Sequence, residues 1–158
     1  MSIEIERKFL VTGDQWRIFT EGTDYRQGYL STDPERTIRI RTIGEKGYLT
    51  IKGKTEKATR DEFEYEIPLE DANWMLEGLC KRPLIEKIRY EIRFNEFLWE
   101  IDEFKGENEG LIIAEVELND VNTDIGLPDW IGKEVTDDPK YYNASLVKSP
   151  YSSWKNNI

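Results

Sequence analysis

The sequence predicts a mainly β protein of the α+β class, in which an eight-stranded antiparallel sheet closes into a barrel. The barrel is expected to form a tunnel with a charged interior and a few helices packed outside. Segments of period-two hydrophobic alternation recur along the chain, and short turn signals such as GEKG at residues 44–47 separate several of them at hairpin spacing. A length of 158 residues with 38% hydrophobic content suits one folded domain spanning residues 1–158.

Eight segments have the alternation and the flanking turns of strands. They are residues 2–11, 24–30, 36–43, 48–54, 61–69, 84–94, 97–104 and 111–118. Helices are few. DANWMLEGLCK, from Asp71, has an acidic start and apolar residues at helical spacing. Shorter helices are predicted for DQWRIF, PDWIGKEV and NASLVK, which begin at residues 14, 128 and 143.

Composition excludes several classes of function. The net charge of −10 disfavours a general nucleic-acid binder but allows a small anionic ligand, which responds to local charge. The chain has no histidine and Cys80 is its only cysteine, so His-ligated metals, disulfides and Ser-His or Cys-His nucleophiles are excluded. Any metal must be bound by oxygen, which favours Mg²⁺ or Mn²⁺.

The chain carries no signal for a membrane or for export. Charged residues occur within its first eight positions, unlike in a signal peptide, and no apolar run is long enough to span a bilayer. A cytoplasmic protein without membrane association is therefore expected.

Each predicted strand has one apolar face and one ionic face, because residues i and i+2 share a face. The ionic faces are also sorted by sign. Acid pairs occur at Glu4/Glu6, Glu62/Glu64 and Glu115/Glu117, and base pairs at Arg39/Arg41, Lys52/Lys54 and Lys87/Arg89.

The ordinary explanation of an ionic face is the solvated side of a sheet. Like charges at i and i+2 repel, however, and solvation gives no reason to repeat that arrangement six times. Paired acids are explained if they share a divalent cation, and paired bases if they grip phosphate oxygens. We therefore expect the ionic faces to line the barrel and to form a metal–polyphosphate site. The apolar faces would then point outward.

The first strand, IEIERKFLV, is where both signs meet on one face. Glu4, Glu6 and Lys8 are expected to point inward, whereas Ile3, Ile5, Phe9 and Val11 point outward with Arg7. The outward apolar faces need cover from helices or a partner subunit, so a homodimer is compatible with the pattern. Candidates for this cover are Trp16, Trp74, Trp130 and Trp154.

The ordered set of charged doublets resembles the CYTH family, also called the triphosphate tunnel metalloenzymes. The resemblance runs through EIERKFLV, RQGYL, IRIR, LTIKGK, EFEYEI, EKIRY, WEIDEF, AEVEL and GKEVTDDPKYYNASL, and so covers almost the whole chain. It implies an eight-stranded tunnel that binds triphosphate-bearing substrates with Mg²⁺ or Mn²⁺, two ions being expected. Short bacterial members with this pattern look like inorganic triphosphatases.

The resemblance also implies roles for individual residues. Metal ligands would be Glu4, Glu6, Glu115 and Glu117, with Glu62, Glu64 and Asp102 as further ligands or supports. Substrate-binding residues would be Lys8, Arg39, Arg41, Lys52, Lys87 and Arg89, with Lys54 after a possible bulge at Gly53, and Tyr29 either near the leaving group or simply packed in the wall. The expected catalytic residues are Glu4, Glu6, Lys8 and Lys52, and which group handles the proton stays open.

The expected reaction is metal-dependent hydrolysis of a terminal phosphoanhydride, with inorganic tripolyphosphate as the leading substrate. Three alternatives remain: a class IV-type adenylate cyclase, a thiamine or nucleoside triphosphatase, and a non-catalytic module that binds polyphosphates or nucleotides. The cyclases of this family usually carry a histidine-containing motif, so the absence of histidine disfavours that option.

Overall fold

The structure is a computed structural model that describes residues 2–157. Within this range it contains nine strands, two α-helices and several short 3-10 turns. The elements are β1 (Ser2–Val11), β2 (Thr23–Asp33), β3 (Arg36–Ile43), β4 (Lys46–Gly53), β5 (Thr59–Ile67), α1 (Leu69–Gly78), β6 (Ile85–Phe94), β7 (Phe97–Phe104), β8 (Ile112–Glu117), β9 (Ile131–Glu134) and α2 (Asn143–Lys148).

Eight of these strands form a ring. Their order is β5-β4-β3-β2-β6-β7-β8-β1, and β5 also pairs with β1, which closes the sheet. Every pairing is antiparallel. The predicted mainly β fold with an eight-stranded antiparallel ring is confirmed, and a closed ring leaves an interior into which alternate side chains point.

The segment from Pro128 was predicted as a helix, and this prediction is wrong. Residues Ile131–Glu134 form strand β9, which pairs with β1 through Val11↔Ile131 and Phe9↔Glu134. The Val135 N–H donates to the Lys8 carbonyl at 2.8 Å, which extends this edge. The β5 pairing covers only the first residues of β1, so the later N–H and C=O groups on that edge are satisfied by β9 instead.

Other boundaries also differ from the sequence prediction, and several strands begin or end one to three residues away from it. Strand β4 ends at Gly53, so Lys54 lies in the connection to β5 rather than in the sheet. DQWRIF forms a single 3-10 turn, Gln15–Ile18. Helix α1 begins at Leu69, directly after Pro68, which suits a helix start because Pro cannot continue a strand ladder. Helix α2 forms where it was predicted.

The apolar core lies outside the ring, as the outward apolar faces predict. Phe9 and Trp99 on the strands pack with Trp16 and Trp130 in one cluster, with Ile5 and Val11 partly buried against it. A second cluster lies under α2, and a third places Ala72 and Leu76 of α1 against the wall. Of the tryptophans proposed as cover, Trp16 and Trp130 are buried and Trp154 packs on the second cluster. Trp74 is 77% exposed, so it covers nothing within the described part of the chain.

Among the residues that the structure describes, no helix combines the length and apolar character needed to cross a membrane.

Candidate active site

A cavity of about 320 Å³ opens at one end of the barrel. Its floor consists of buried charged side chains, including Lys8, Lys87 and Glu115. Its open side is marked by exposed lining residues such as Pro34, in the β2–β3 turn, and Lys54. Residues of the segment after β9 and of the first turn of α2, between positions 137 and 145, line part of this end. The site is therefore a charged pocket with a buried floor and a solvent-facing mouth.

Strands β1, β8 and β4 supply one group of ion pairs. The Lys8 Nζ atom lies 2.8 Å from Glu115 Oε1 and 3.2 Å from Glu6 Oε1. The Lys52 Nζ atom lies 3.0 Å from both carboxylate oxygens of Glu4. Burial works against the charged form of Lys8, but the Glu115 and Glu6 carboxylates outweigh it and raise the pKa of Lys8. The acids around Lys8 thus hold its ammonium group in the charged form.

Strands β6 and β7 supply the most buried pairs. Arg89 forms a two-pronged contact with Asp102, Nε to Oδ1 at 2.7 Å and Nη2 to Oδ2 at 2.9 Å. Lys87 Nζ lies 2.7 Å from Asp102 Oδ2 and donates to Asn143 Oδ1 at 3.0 Å. Burial lowers the pKa of Lys87 to about 8, with Asp102 opposing the shift and Arg89 reinforcing it. Two bases therefore share one carboxylate that is only 1% exposed.

Strands β3, β4 and β5 supply a looser group. Arg39 and Arg41 place Nη2 at 3.4 and 3.5 Å from Glu64 Oε2, which also accepts a 2.7 Å bond from the Thr50 hydroxyl. The Nε atoms of both arginines are buried without a hydrogen-bond partner among the described residues. Burial, together with Arg39 and Arg89, lowers the pKa of Arg41 to about 10. These guanidinium groups retain donors for an anion.

The interior carboxylates offer oxygen atoms, which are the ligands that a hard divalent cation prefers. Burial and the Glu115 carboxylate raise the pKa of Glu6, and burial and the Glu4 carboxylate raise that of Glu117. Such mutual repulsion is what a shared cation relieves. Across residues 2–157, however, no three carboxylates are grouped closely enough to hold a metal ion. Several of them are bound to lysine or arginine instead. The residues therefore fit a cation by donor type, and the ion pairs would have to rearrange to admit it.

The structure places the predicted residues at different depths. The cavity is lined by Glu6, Lys8, Tyr29, Arg39, Lys52, Lys54, Lys87, Arg89 and Glu115. Of the rest, Glu4, Arg41, Glu62, Glu64 and Asp102 form ion pairs with interior groups. Glu117 is exposed. Tyr29 is 4% exposed, and its hydroxyl accepts from Gln27 Nε2 at 3.1 Å, so it is packed into the wall as well as lining the cavity.

Sequence reasoning missed several lining residues. Arg60 lies two positions before Glu62, so the same alternation would have found it had the strand been started at Thr59. Glu100 does not line the cavity, but it shares its face with Asp102 and lies 3.1 Å from Arg89, and the alternation shows this position as well. Tyr142 and Asn143 carried no comparable signal, because they reach the cavity from the distant C-terminal segment.

The fold and the interior define a class of protein: a closed antiparallel barrel with an interior of opposed acids and bases, of the kind that binds phosphate chains with cations. The CYTH domain model matches residues 2–149, and the chain belongs to the CYTH family. Metal dependence is typical of this family.

Two relatives and one solved structure carry the same name. The chain is 53% identical to an inorganic triphosphatase from Acetivibrio thermocellus, over 98% of this chain and 99% of that protein. It is 34% identical to an inorganic triphosphatase from Nitrosomonas europaea, over 92% and 97%. A crystal structure of an inorganic triphosphatase aligns with a TM-score of 0.64 at 32% identity, covering 92% of this chain and 97% of that one.

Proposed function

We propose that this protein is a metal-dependent inorganic triphosphatase, a hydrolase that cleaves the terminal phosphoanhydride of tripolyphosphate. The observation that carries the proposal is the cavity of about 320 Å³, because bases line it while carboxylates lie within reach of the same interior. The names of the relatives support the same substrate.

The bases would bind and orient the phosphate chain. The lining bases are Lys8, Lys52, Lys87, Arg39 and Arg89, and Arg41 shares the Glu64 carboxylate with Arg39. The Nε atoms of Arg39 and Arg41 are buried and make no hydrogen bond among the described residues, so a turn of either side chain toward a bound phosphate would cost no Nε bond. Fixed donors of this kind stabilise the charge that develops on the phosphoryl group during transfer.

The acids would hold the cations, for which we propose two Mg²⁺ or Mn²⁺ ions. The proposed ligands are Glu4, Glu6, Glu115 and Glu117, supported by Glu62, Glu64 and Asp102. Bound divalent cations would neutralise phosphate charge and supply Lewis acidity at the reacting phosphorus. Glu4 and Glu115 each bind a lysine that lines the cavity, so anion and cation binding are expected to reinforce each other.

Product analysis tests the proposal. Phosphate release from tripolyphosphate, ATP and thiamine triphosphate would be measured with Mg²⁺ and with Mn²⁺, and tripolyphosphate is expected to be preferred. Formation of cyclic AMP and pyrophosphate from ATP would establish a cyclase instead. Tight binding of tripolyphosphate without turnover under either metal would establish a binding module.

Substitution of the inner acids tests the proposed metal role. Glu4→Gln and Glu6→Gln should each lower kcat by about 100-fold or more, because an amide is a poor ligand for a hard cation. Glu91→Gln makes the same change at an exposed position of β6 and should leave kcat unchanged. Full activity of both inner variants would contradict the role assigned to these acids.

A further inference from the structure

The bases that line the cavity fall into two groups within the described part of the chain. Those of the floor and inner wall each lie within 4.0 Å of a carboxylate: Lys8, Arg39, Lys52, Lys87 and Arg89. Lys54 and Arg60 form no ion pair within residues 2–157, although both line the same cavity. These two residues are therefore the lining bases that have no carboxylate partner in the described part of the chain.

Lys54 and Arg60 flank the β4–β5 connection at the mouth. Lys54 is exposed and Arg60 is half-buried, in contrast to the buried bases of the floor. Asp137 is an exposed acidic residue of the same lining. Two bases against this one exposed acid leave the outer part of the lining with a net attraction for an anion.

Arg60 is held in place by neighbouring strands. Its Nε donates to the Gly53 carbonyl at 3.1 Å, and its Nη2 donates to the Thr37 hydroxyl at 3.2 Å. Neither bond uses Nη1. The guanidinium group is thus positioned before any ligand arrives, and a positioned donor loses less entropy on binding than a free side chain.

We propose that Arg60, together with Lys54, is a specificity-determining residue that binds the outer, unesterified terminal phosphate of inorganic tripolyphosphate. This inference rests on the proposed function and deepens it. The pair would select inorganic tripolyphosphate against organic triphosphates whose outer phosphate carries an ester.

The selection follows from the charge of the outer phosphate. A free terminal phosphate has two ionisable oxygens, whereas the esterified phosphate of ATP or thiamine triphosphate has one. Two bases without carboxylates of their own match the doubly charged group, and guanidinium donors bind two phosphate oxygens side by side. An ester oxygen with its organic substituent cannot accept the same charge-assisted bonds, and sites built for such bonds discriminate strongly against analogues that lack a partner.

Kinetic discrimination tests the inference. Arg60→Gln should lower kcat/KM for tripolyphosphate by about ten-fold and for ATP by about two-fold or less, so that the preference for tripolyphosphate falls. Arg60→Lys keeps the charge but loses the planar, two-pronged guanidinium group. Its preference for tripolyphosphate over ATP should lie between that of wild type and that of Arg60→Gln. Lys57→Gln makes the same charge change at an exposed position of the connection and should leave the preference unchanged. Equal losses for the two substrates, or no loss, would overturn the inference.

A second variant and a second readout keep the test independent of folding and of turnover. Lys54→Gln removes a side chain with no bonded partner among the described residues, and it should shift the preference in the same direction. It therefore replaces Arg60→Gln in the test if that variant proves unstable.

Should wild type release no phosphate from either compound, the proposed function fails. Isothermal titration with each compound in Mg²⁺ then decides the inference. Weaker binding of tripolyphosphate alone to the variants would support it, and equal changes for both compounds would refute it.

Discussion

Two consecutive residues of β1 form ion pairs on opposite faces of the barrel wall. Arg7 points outward and makes a two-pronged contact with Glu134 of β9, at 2.9 and 2.7 Å, with side chains 27% and 38% exposed. Lys8 points inward and lies 2.8 Å from Glu115 of β8, with side chains 10% and 11% exposed. The bond lengths are alike, and the surroundings differ.

That difference separates a structural contact from a functional one. The outer pair is accessible to solvent and joins β9 to β1. An exposed pair of this kind contributes little to the free energy of unfolding. The inner pairs are desolvated, and replacing such pairs by apolar residues often stabilises a protein, so packing alone does not explain a ring lined with them. Their presence is explained by a ligand that needs charges already in position.

The largest expected difference between the two faces is in stability. Asp102→Asn should lower the free energy of unfolding by about 3 kcal/mol, because Lys87 and Arg89 would stay buried without their shared carboxylate. Urea denaturation in the absence of ligand measures this loss. Asp24→Asn, at an exposed position of β2, should change it by less than about 0.5 kcal/mol. Similar losses in both variants would contradict a special cost on the inner face.

A pH profile gives the next largest contrast. The pKa of Lys87 is lowered to about 8, so this lysine is protonated below that pH and loses its charge above it. Since the charged form binds anions, kcat/KM for tripolyphosphate should fall as pH rises through about 8. Lys87→Arg should move this decline to higher pH, because arginine stays protonated.

The outer face supplies the comparison for that profile. The pKa of Arg7 is raised, chiefly by its bond to Glu134, so Arg7 keeps its charge throughout the range of the assay. An alkaline decline that survives unchanged in Lys87→Arg would assign it to some other group.

The smallest effect is expected at Arg7 itself. Arg7→Gln should lower the free energy of unfolding by about 0.5 to 1 kcal/mol, since a partly exposed pair is screened by water. It should leave kcat and KM unchanged, because the side chain points away from the cavity. Thermal or urea unfolding and a tripolyphosphate assay on one preparation measure both. A loss of activity without a loss of stability would contradict the assignment of Arg7 to a purely structural contact.

Much of the fold and the interior was predictable because strand alternation is a local property. The inward positions of Glu4, Glu6 and Lys8 follow from the two-residue period once one face is known to be ionic. The same rule covers Lys87, Arg89 and Asp102, which carry charge in alternate positions of β6 and β7. No long-range information was needed for any of them.

The remainder depends on contacts between distant segments. Ile131–Glu134 is a strand only because β1 offers an unpaired edge, and its own four residues do not show this. Asn143 reaches Lys87 because α2 packs over one end of the ring, and an isolated NASLVK motif does not indicate that position. Arg60 was missed for a simpler reason, since strand ends are the least certain feature of a sequence pattern.

Strand β1 pairs with three other strands, and this also affects the order in which the molecule folds. This strand is synthesised before its partners β5, β8 and β9, which lie in the middle and last third of the chain. Contacts so distant in sequence form late, because a long loop must be ordered before they repay its entropy. We therefore expect Glu4, Glu6 and Lys8 to take their places only as the ring closes, and the proposed phosphate site to be complete only in the finished fold.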